Sequence, residues 1–213
     1  MRKMKVILLS VCVIVLVFAS VMGTLAYLTA TDEVVNTFTV GNVEITLDEA
    51  DVDELGVVIS NDRVKSNEYH LIPDGVYVKD PTVTVKRGSE DSYVRMLVTI
   101  SDMADVKAVL GNDFLPENYV EGYDKNVWKC VSITDNGDNT ATYEFRYKET
   151  VVKPTADKVL EPLFEKIKVP AELDGEDLAK IAEMKISVVG NAIQKAGFDS
   201  EDAAWAAFDV QMQ

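Results

Sequence analysis

The chain has 213 residues and carries 36 acidic against 21 basic side chains, which gives a formal net charge of −15. This balance predicts no nucleic-acid binding, because an acidic surface repels phosphate backbones. Two cysteines, Cys12 and Cys130, are too few for a disulfide framework, so a packed core must stabilise the fold.

The first 26 residues have the order of an export signal. Basic residues lie within positions 2–5, an apolar run covers 6–22, and small residues follow at Thr24 and Ala26. This order predicts a cut between Ala26 and Tyr27. The apolar run is also near the short limit of a spanning helix, so an uncleaved N-terminal anchor is the alternative. Both interpretations place the rest of the chain outside the cytoplasm.

Cleavage would leave residues 27–213, which we expect to form a single domain. Removing 26 residues with three basic and no acidic side chains from the 213 leaves 187, and it lowers the net charge from −15 to −18. Only Cys130 would remain, so no internal disulfide can form. We interpret Cys130 as a small hydrophobic residue of a strand, and an exported chain without disulfides as typical of a Gram-positive bacterium.

Short alternating segments fill the first half of the mature chain. Apolar and polar residues alternate over 43–47, which predicts a half-buried strand. The acidic run over 48–54 predicts a loop. Two short strands are expected within 69–87, on either side of Pro81, and the clearest strand covers 93–100.

The second half continues the pattern. Residues 127–134 and 140–147 predict a hairpin, and its Asp/Asn-rich connection is interpreted as a plain turn because it lacks the spacing of an EF-hand calcium loop. Strands are also expected over 163–169 and 184–193. Capping residues predict three short helices, which begin at Ser101-Asp102, at Asp174 and at Ser200, the last carrying Trp205 and Phe208.

These roughly eight strands, with turn signals about every 8–12 residues, predict a mostly β protein. The fold class that we expect is an antiparallel, jelly-roll-like β-sandwich with a few short helices, preceded by a signal peptide.

The residue inventory predicts no enzyme. His70 is the only histidine, so a zinc site of the His-Glu-x-x-His type is excluded. The sequence has no nucleophile elbow, P-loop or dinucleotide fingerprint. We therefore predict no catalytic residue, no metal site and no cofactor. A carboxylate-pair glycosidase stays open, because 36 acidic residues offer too many pairs to choose from.

Residues 23–49 read GTLAYLTATDEVVNTFTVGNVEITLDE. This stretch resembles the secreted TasA/camelysin proteins, which are processed by a SipW-type signal peptidase. Three later stretches are similar to the same family: residues 79–83 followed by 91–95, residues 162–164, and residues 186–194 followed by 196–198 and a helix that bears 203–208.

The resemblance implies a jelly-roll domain, a SipW-type signal peptidase as processing partner, and a place at the cell surface or in the biofilm matrix of a Gram-positive bacterium. TasA-like proteins assemble into fibres in which the N-terminal segment of one subunit supplies a strand to the next. A donated strand pairs the free N–H and C=O groups of an open sheet edge. Here the donor would be residues 27–40. Its expected anchors are Val34 or Val35, Phe38 and Val40.

The first hypothesis is therefore a secreted structural protein that assembles with itself or with related matrix subunits and meets a membrane only during export. The alternative for the N-terminal segment is pairing within its own domain, or a disordered leader. The family also includes camelysin, described as a metallopeptidase, although this sequence has no recognisable zinc ligands. A monomeric surface adhesin is the third hypothesis.

Overall fold

Strands form where the sequence alternates between apolar and polar residues. The computed structural model describes residues 29–33, 36–39 and 43–212, and these residues are mostly β, with antiparallel sheets and three short α-helices. The strands are β1 Thr29–Glu33, β2 Asn36–Thr39, β3 Ile45–Val52, β4 Val58–Val64, β5 Val76–Val78, β6 Thr82–Val85, β7 Ser92–Ile100, β8 Val120–Glu121, β9 Trp128–Asp135, β10 Ala141–Tyr147, β11 Lys158–Val159, β12 Lys166–Lys168 and β13 Ile186–Gln194.

The helices are α1 Met103–Leu110, α2 Gly175–Lys180 and α3 Glu201–Gln211, with a 3₁₀ turn at Pro116–Asn118. Asp174 caps α2, since its Oδ1 accepts hydrogen bonds from the backbone N–H groups of Glu176 and Asp177. Ser200 caps α3 through the backbone N–H of Ala203. Both predicted caps are therefore confirmed.

The strands form three sheets in the described part of the chain. The largest has the order β2-β1-β13-β7-β10-β9, a second has the order β11-β6-β3-β4, and a third has the order β5-β12-β8. The central pair of the large sheet, β7 and β13, runs antiparallel through nine residue pairs, from Ser92 opposite Gln194 to Ile100 opposite Ile186. The predicted hairpin is confirmed as β9 and β10.

The core lies between the large sheet and the four-stranded sheet. The two sheets approach closely at Gly190 of β13, where a Cβ atom would lie 3.3 Å from Val83 Cγ2 and 3.5 Å from Leu47 Cβ. The buried side chains follow the predicted alternation. The inward residues of β7 and β10 are Val94, Met96, Val98 and Ile100, and Ala141, Tyr143, Phe145 and Tyr147.

We expected the acidic run after Leu47 to form a loop. In the structure, strand β3 continues through this run as far as Val52. Its buried carboxylate, Glu49, forms an ion pair with Lys79 at 2.6 Å and accepts a hydrogen bond from Asn67 at 2.9 Å. The prediction was wrong because the compensating groups lie 18 and 30 residues away in the sequence, where a local pattern cannot reveal them.

Helix α1 begins where we expected, but neither Ser101 nor Asp102 caps it with a side chain. Asp102 has a left-handed backbone conformation, and its carboxylate accepts a hydrogen bond from the Ser101 hydroxyl instead. Asn139, from the β9–β10 turn, accepts hydrogen bonds from the first two backbone N–H groups of the helix. Its backbone oxygen accepts from Met103, and its side-chain Oδ1 accepts from Ala104. The predicted C-terminal end is confirmed at Gly111, which has a φ of +99°.

The predicted strand over 163–169 is mostly irregular. Strand β12 covers only Lys166–Lys168, while Leu163 and Phe164 are buried without regular structure. Among the described helices, none is both long and apolar enough to cross a membrane.

Candidate assembly site

The segment that follows the predicted signal lies beside the large sheet. Strand β1 pairs antiparallel with β13, from Thr29 opposite Ile193 to Asp32 opposite Gly190. Strand β2 then pairs with β1, which makes β2 the outer strand on this side of the sheet. In this isolated chain the N-terminal segment therefore pairs within its own domain, which is the alternative that the sequence analysis gave.

The sequence-predicted site residues are only partly covered by the structure. Ala26, Tyr27, Val34, Val35 and Val40 lie outside the described residues. Phe38 belongs to β2, and its backbone position lies opposite Thr31 of β1. Whether the expected anchors act as anchors therefore stays a prediction.

Helix α3 covers the outer face of the same sheet, next to the strand that receives β1. Trp205 and Phe208 are buried against Ile193 of β13, with Tyr93 of β7 and Phe198 packed at the margin of this outer cluster. The helix lies there because its apolar residues recur at i and i+3, which places them on one side.

A buried arginine joins this helix to the sheet. Arg95 of β7 is only 3 % exposed, and its guanidinium carbon lies 4.4 Å from the ring centre of Trp205 and 5.1 Å from that of Phe208. Its Nε donates to Asn191 Oδ1 at 3.1 Å, both terminal nitrogens donate to Asp209, and Nη1 also lies 3.7 Å from Glu144 Oε1.

Sequence analysis did not identify the role of Arg95: alternation within 93–100 places it on the face of the strand opposite the core residues and says nothing of its partners. The available signal was a charged residue in the middle of the strongest strand, followed by a C-terminal helix with two large aromatic residues. When a helix covers a charge at such a position, the charge loses its contact with water and needs a partner on that helix or on the sheet.

A second polar cluster holds the β3–β4 hairpin against the body of the protein. Besides the Glu49–Lys79 pair, Arg63 of β4 donates to Asp48 at 2.8 Å and to Asp80 at 2.5 Å. Burial raises the pKa of Tyr69 well above its ordinary value, and the nearby Glu49 carboxylate adds to this shift. The cluster fixes the base of the hairpin.

The histidine, the cysteine and the surface depressions are the features that bear on catalysis in the described residues. His70 is exposed, and no group of three or more His, Cys, Asp or Glu side chains among the described residues is arranged to hold a metal ion. Cys130 is half-buried, and burial raises the pKa of its thiol, which disfavours the nucleophilic thiolate. Two open depressions of about 510 and 440 Å³ contain no histidine, cysteine or serine in their lining, but each is lined by three carboxylates, so the carboxylate-pair hypothesis stays open.

Comparison with known proteins identified no relative: no protein-family model, curated protein or solved structure matches the chain.

Proposed function

We propose that the chain is a secreted structural protein of the cell surface or biofilm matrix of a Gram-positive bacterium. In this proposal residues 27–40 are freed by a SipW-type signal peptidase and pair with the sheet of a neighbouring copy or of a related matrix subunit. The body would be a jelly-roll-like sandwich that presents a sheet edge to its neighbour.

One observation carries the proposal: the strand just after the predicted cut occupies the flank of β13. Its four pairs, from Thr29–Ile193 to Asp32–Gly190, are made by backbone groups. The same strand of another copy offers the same groups in the same order, so exchange between copies conserves the pairing. Without any strand there, β13 would expose a row of unpaired N–H and C=O groups.

Electron microscopy tests this proposal. Residues 27–213, which include the whole described fold, should form fibres at high concentration and physiological salt. Removing residues 27–40 should abolish fibres while the circular dichroism spectrum keeps its β signature. A synthetic peptide of residues 27–40 should shorten the fibres of the intact chain by occupying free β13 edges, and a scrambled peptide of the same composition should not.

A chain that stays monomeric alone and with its co-exported proteins would contradict the proposal. The same protein preparation also tests the two remaining hypotheses, because each predicts a different result. A camelysin-like metallopeptidase would cleave casein in a chelator-sensitive way and would contain bound zinc. A surface adhesin would stay monomeric and bind a glycan or a host protein.

A further inference from the structure

We propose that Lys79 and Asn67 form an intramolecular isopeptide bond, and that Glu49 transfers the protons that the reaction requires. The bond is an amide between Lys79 Nζ and Asn67 Cγ, and its formation releases ammonia. It lies away from the strand that pairs with β13, and it does not rest on the proposed function. Three observations support it: the burial of the lysine, the carboxylate that it shares with the asparagine, and the hydrogen bonds of the asparagine amide.

Lys79 is buried together with its carboxylate partner. The side chains of Lys79 and Glu49 are 9 % and 7 % exposed, and Lys79 Nζ lies 2.6 Å from Glu49 Oε2. By contrast, Lys125, Lys153 and Lys180 pair with carboxylates at the surface, where each lysine side chain is more than half exposed. A lysine that is kept from water becomes a nucleophile once it passes its proton to a neighbouring base, whereas a solvated ammonium keeps its proton.

The same carboxylate also holds the amide that the lysine attacks. Glu49 Oε1 accepts a hydrogen bond from Asn67 Nδ2 at 2.9 Å, while Glu49 Oε2 accepts one from Lys79 Nζ. The nucleophile and the nitrogen that must leave therefore contact the two oxygens of one acid–base group. A single carboxylate in this position can take a proton from the first nitrogen and give a proton to the second.

Hydrogen bonds fix the orientation of the Asn67 amide. Its Oδ1 accepts from the backbone N–H of Val52 at 3.1 Å, and its Nδ2 also donates to the backbone oxygen of Ala50 at 2.9 Å. These two partners distinguish the amide oxygen from the amide nitrogen. Negative charge develops on Oδ1 when an amine adds to Cγ, and the Val52 N–H stabilises that charge as an oxyanion-hole donor does.

The reaction balances without any other reactant. The Lys79 ammonium passes one proton to Glu49, and its lone pair attacks Asn67 Cγ as the flexible lysine side chain brings Nζ to bonding distance. Glu49 delivers the proton to Nδ2, and the Cγ–Nδ2 bond breaks with release of ammonia while the carbonyl forms again. The new amide nitrogen gives a second proton to the ammonia, so the products are an amide, an ammonium ion and the unchanged carboxylate. Before the bond forms, the chain holds the ion pair described above.

The bond ties the segment that follows β4 to the segment that follows β5. A covalent link of this kind removes conformational freedom from the unfolded chain, as a disulfide does. Residues 27–213 contain one cysteine, Cys130, and so no internal disulfide. The amide therefore gives an exported chain a covalent link that reducing agents do not break.

Intact-mass spectrometry of residues 27–213, which include every described residue, tests the bond. After incubation at neutral pH, the wild-type chain should be lighter than its sequence mass by one ammonia molecule. Lys79→Arg is the matched control, because it keeps a cation beside Glu49 while its guanidinium stays protonated and forms no amide. Lys79→Arg and Asn67→Ala should both keep their full sequence mass.

Tryptic digestion locates the bond, because trypsin does not cut after an acylated lysine. The linked chain should yield residues 66–86 as one peptide that lacks an ammonia, in place of the separate peptides 66–79 and 80–86. Ammonia lost through a succinimide would leave the cut after Lys79 intact, so that result would contradict the bond.

The role of Glu49 is tested by the rate at which the mass changes. Glu49→Gln should slow bond formation at least about a hundredfold, since general acid–base catalysis is lost, while circular dichroism shows that the variant is folded. Equal rates in the wild type and in folded Glu49→Gln would overturn the role of Glu49. A wild-type chain that keeps its full mass, and that trypsin cuts after Lys79, would overturn the whole inference.

Discussion

The outer face of the large sheet and the outer edge of the β3–β4 hairpin are both places where a sheet meets its surroundings, and they differ in what covers them. On the face, α3 covers a buried Arg95 and supplies it with aromatic rings and with the Asp209 carboxylate. On the edge, Val58 and Ile59 are at least half exposed, and residues 55–61 hold no charged side chain. Helix α3 therefore buries one of these two surfaces, whereas the other surface stays exposed to solvent.

The largest effect that we expect comes from Arg95→Ala on the covered face. The change removes the hydrogen bond to the buried Asn191 and opens a gap beneath Trp205 and Phe208, so the free energy of unfolding should fall by about 3–5 kcal/mol. Urea denaturation, followed by Trp fluorescence, measures this loss.

Arg146→Ala is the matched control for Arg95. Arg146 also pairs with Glu144 and with Asp202 of α3, but Asp202 is almost fully exposed. Since Arg95 still lies 3.7 Å from Glu144 and no large ring of the described residues rests on Arg146, its loss should cost about 1–2 kcal/mol, less than the loss of Arg95. Equal losses for the two arginines would show that α3 is not held through Arg95.

Lys79→Met should have the next largest effect, at the base of the open hairpin. It leaves the Glu49 carboxylate buried without its cation, which should cost about 3 kcal/mol. The double variant Glu49→Leu, Lys79→Met should recover much of this loss, since two apolar residues can replace a buried pair. A double-mutant cycle measured by urea denaturation would contradict the prediction if Lys79→Met alone cost under about 0.5 kcal/mol.

Alkaline pH should weaken the same region through Tyr69. Its pKa is raised in the folded chain, so its contribution to stability is complete below the ordinary value of about 10 and is lost as pH rises above it. At pH 11 the loss is at most about 1.4 kcal/mol, and screening of the partly exposed ring reduces it. The stability of the wild type should therefore fall more steeply between pH 9 and 11 than that of Tyr69→Phe, and parallel slopes would contradict this assignment.

Removing the cap of α3 should have a smaller effect. Ser200→Ala leaves the Ala203 N–H without its acceptor at 3.1 Å and should cost about 1 kcal/mol. Ser200→Asp supplies another acceptor and should retain nearly full stability, so the pair of variants separates capping from any other role of the hydroxyl.

The smallest effect is expected on the open edge. Ile59→Thr changes a side chain that is already exposed, so thermal unfolding at low concentration should differ by less than about 0.5 kcal/mol. Val94→Thr on β7, where the side chain is fully buried, should cost at least about 1.5 kcal/mol. Similar losses for the two variants would mean that other residues of the same chain bury Ile59 in solution.

The comparison also shows which parts of the structure could be predicted from sequence. Strands β7, β9, β10 and β13 followed from alternation, and the caps of α2 and α3 followed from single side chains, because these signals are local. Glu49 and Arg95 could not be placed, because a buried charge depends on partners far along the chain. The open edge of β4 was missed for the same reason: which strand ends a sheet is decided by the pairing of all the others.

Asn139 carries a consequence for the order of folding. Helix α1 precedes the β9–β10 turn in the chain, yet both of its first N–H groups bond to Asn139, 35 residues after Ala104. Short helices are marginal in isolation, so α1 should gain its first turn only after the hairpin has closed. The β9–β10 hairpin should therefore close before the first turn of α1 becomes stable, whatever the order in which these segments enter the folding chain.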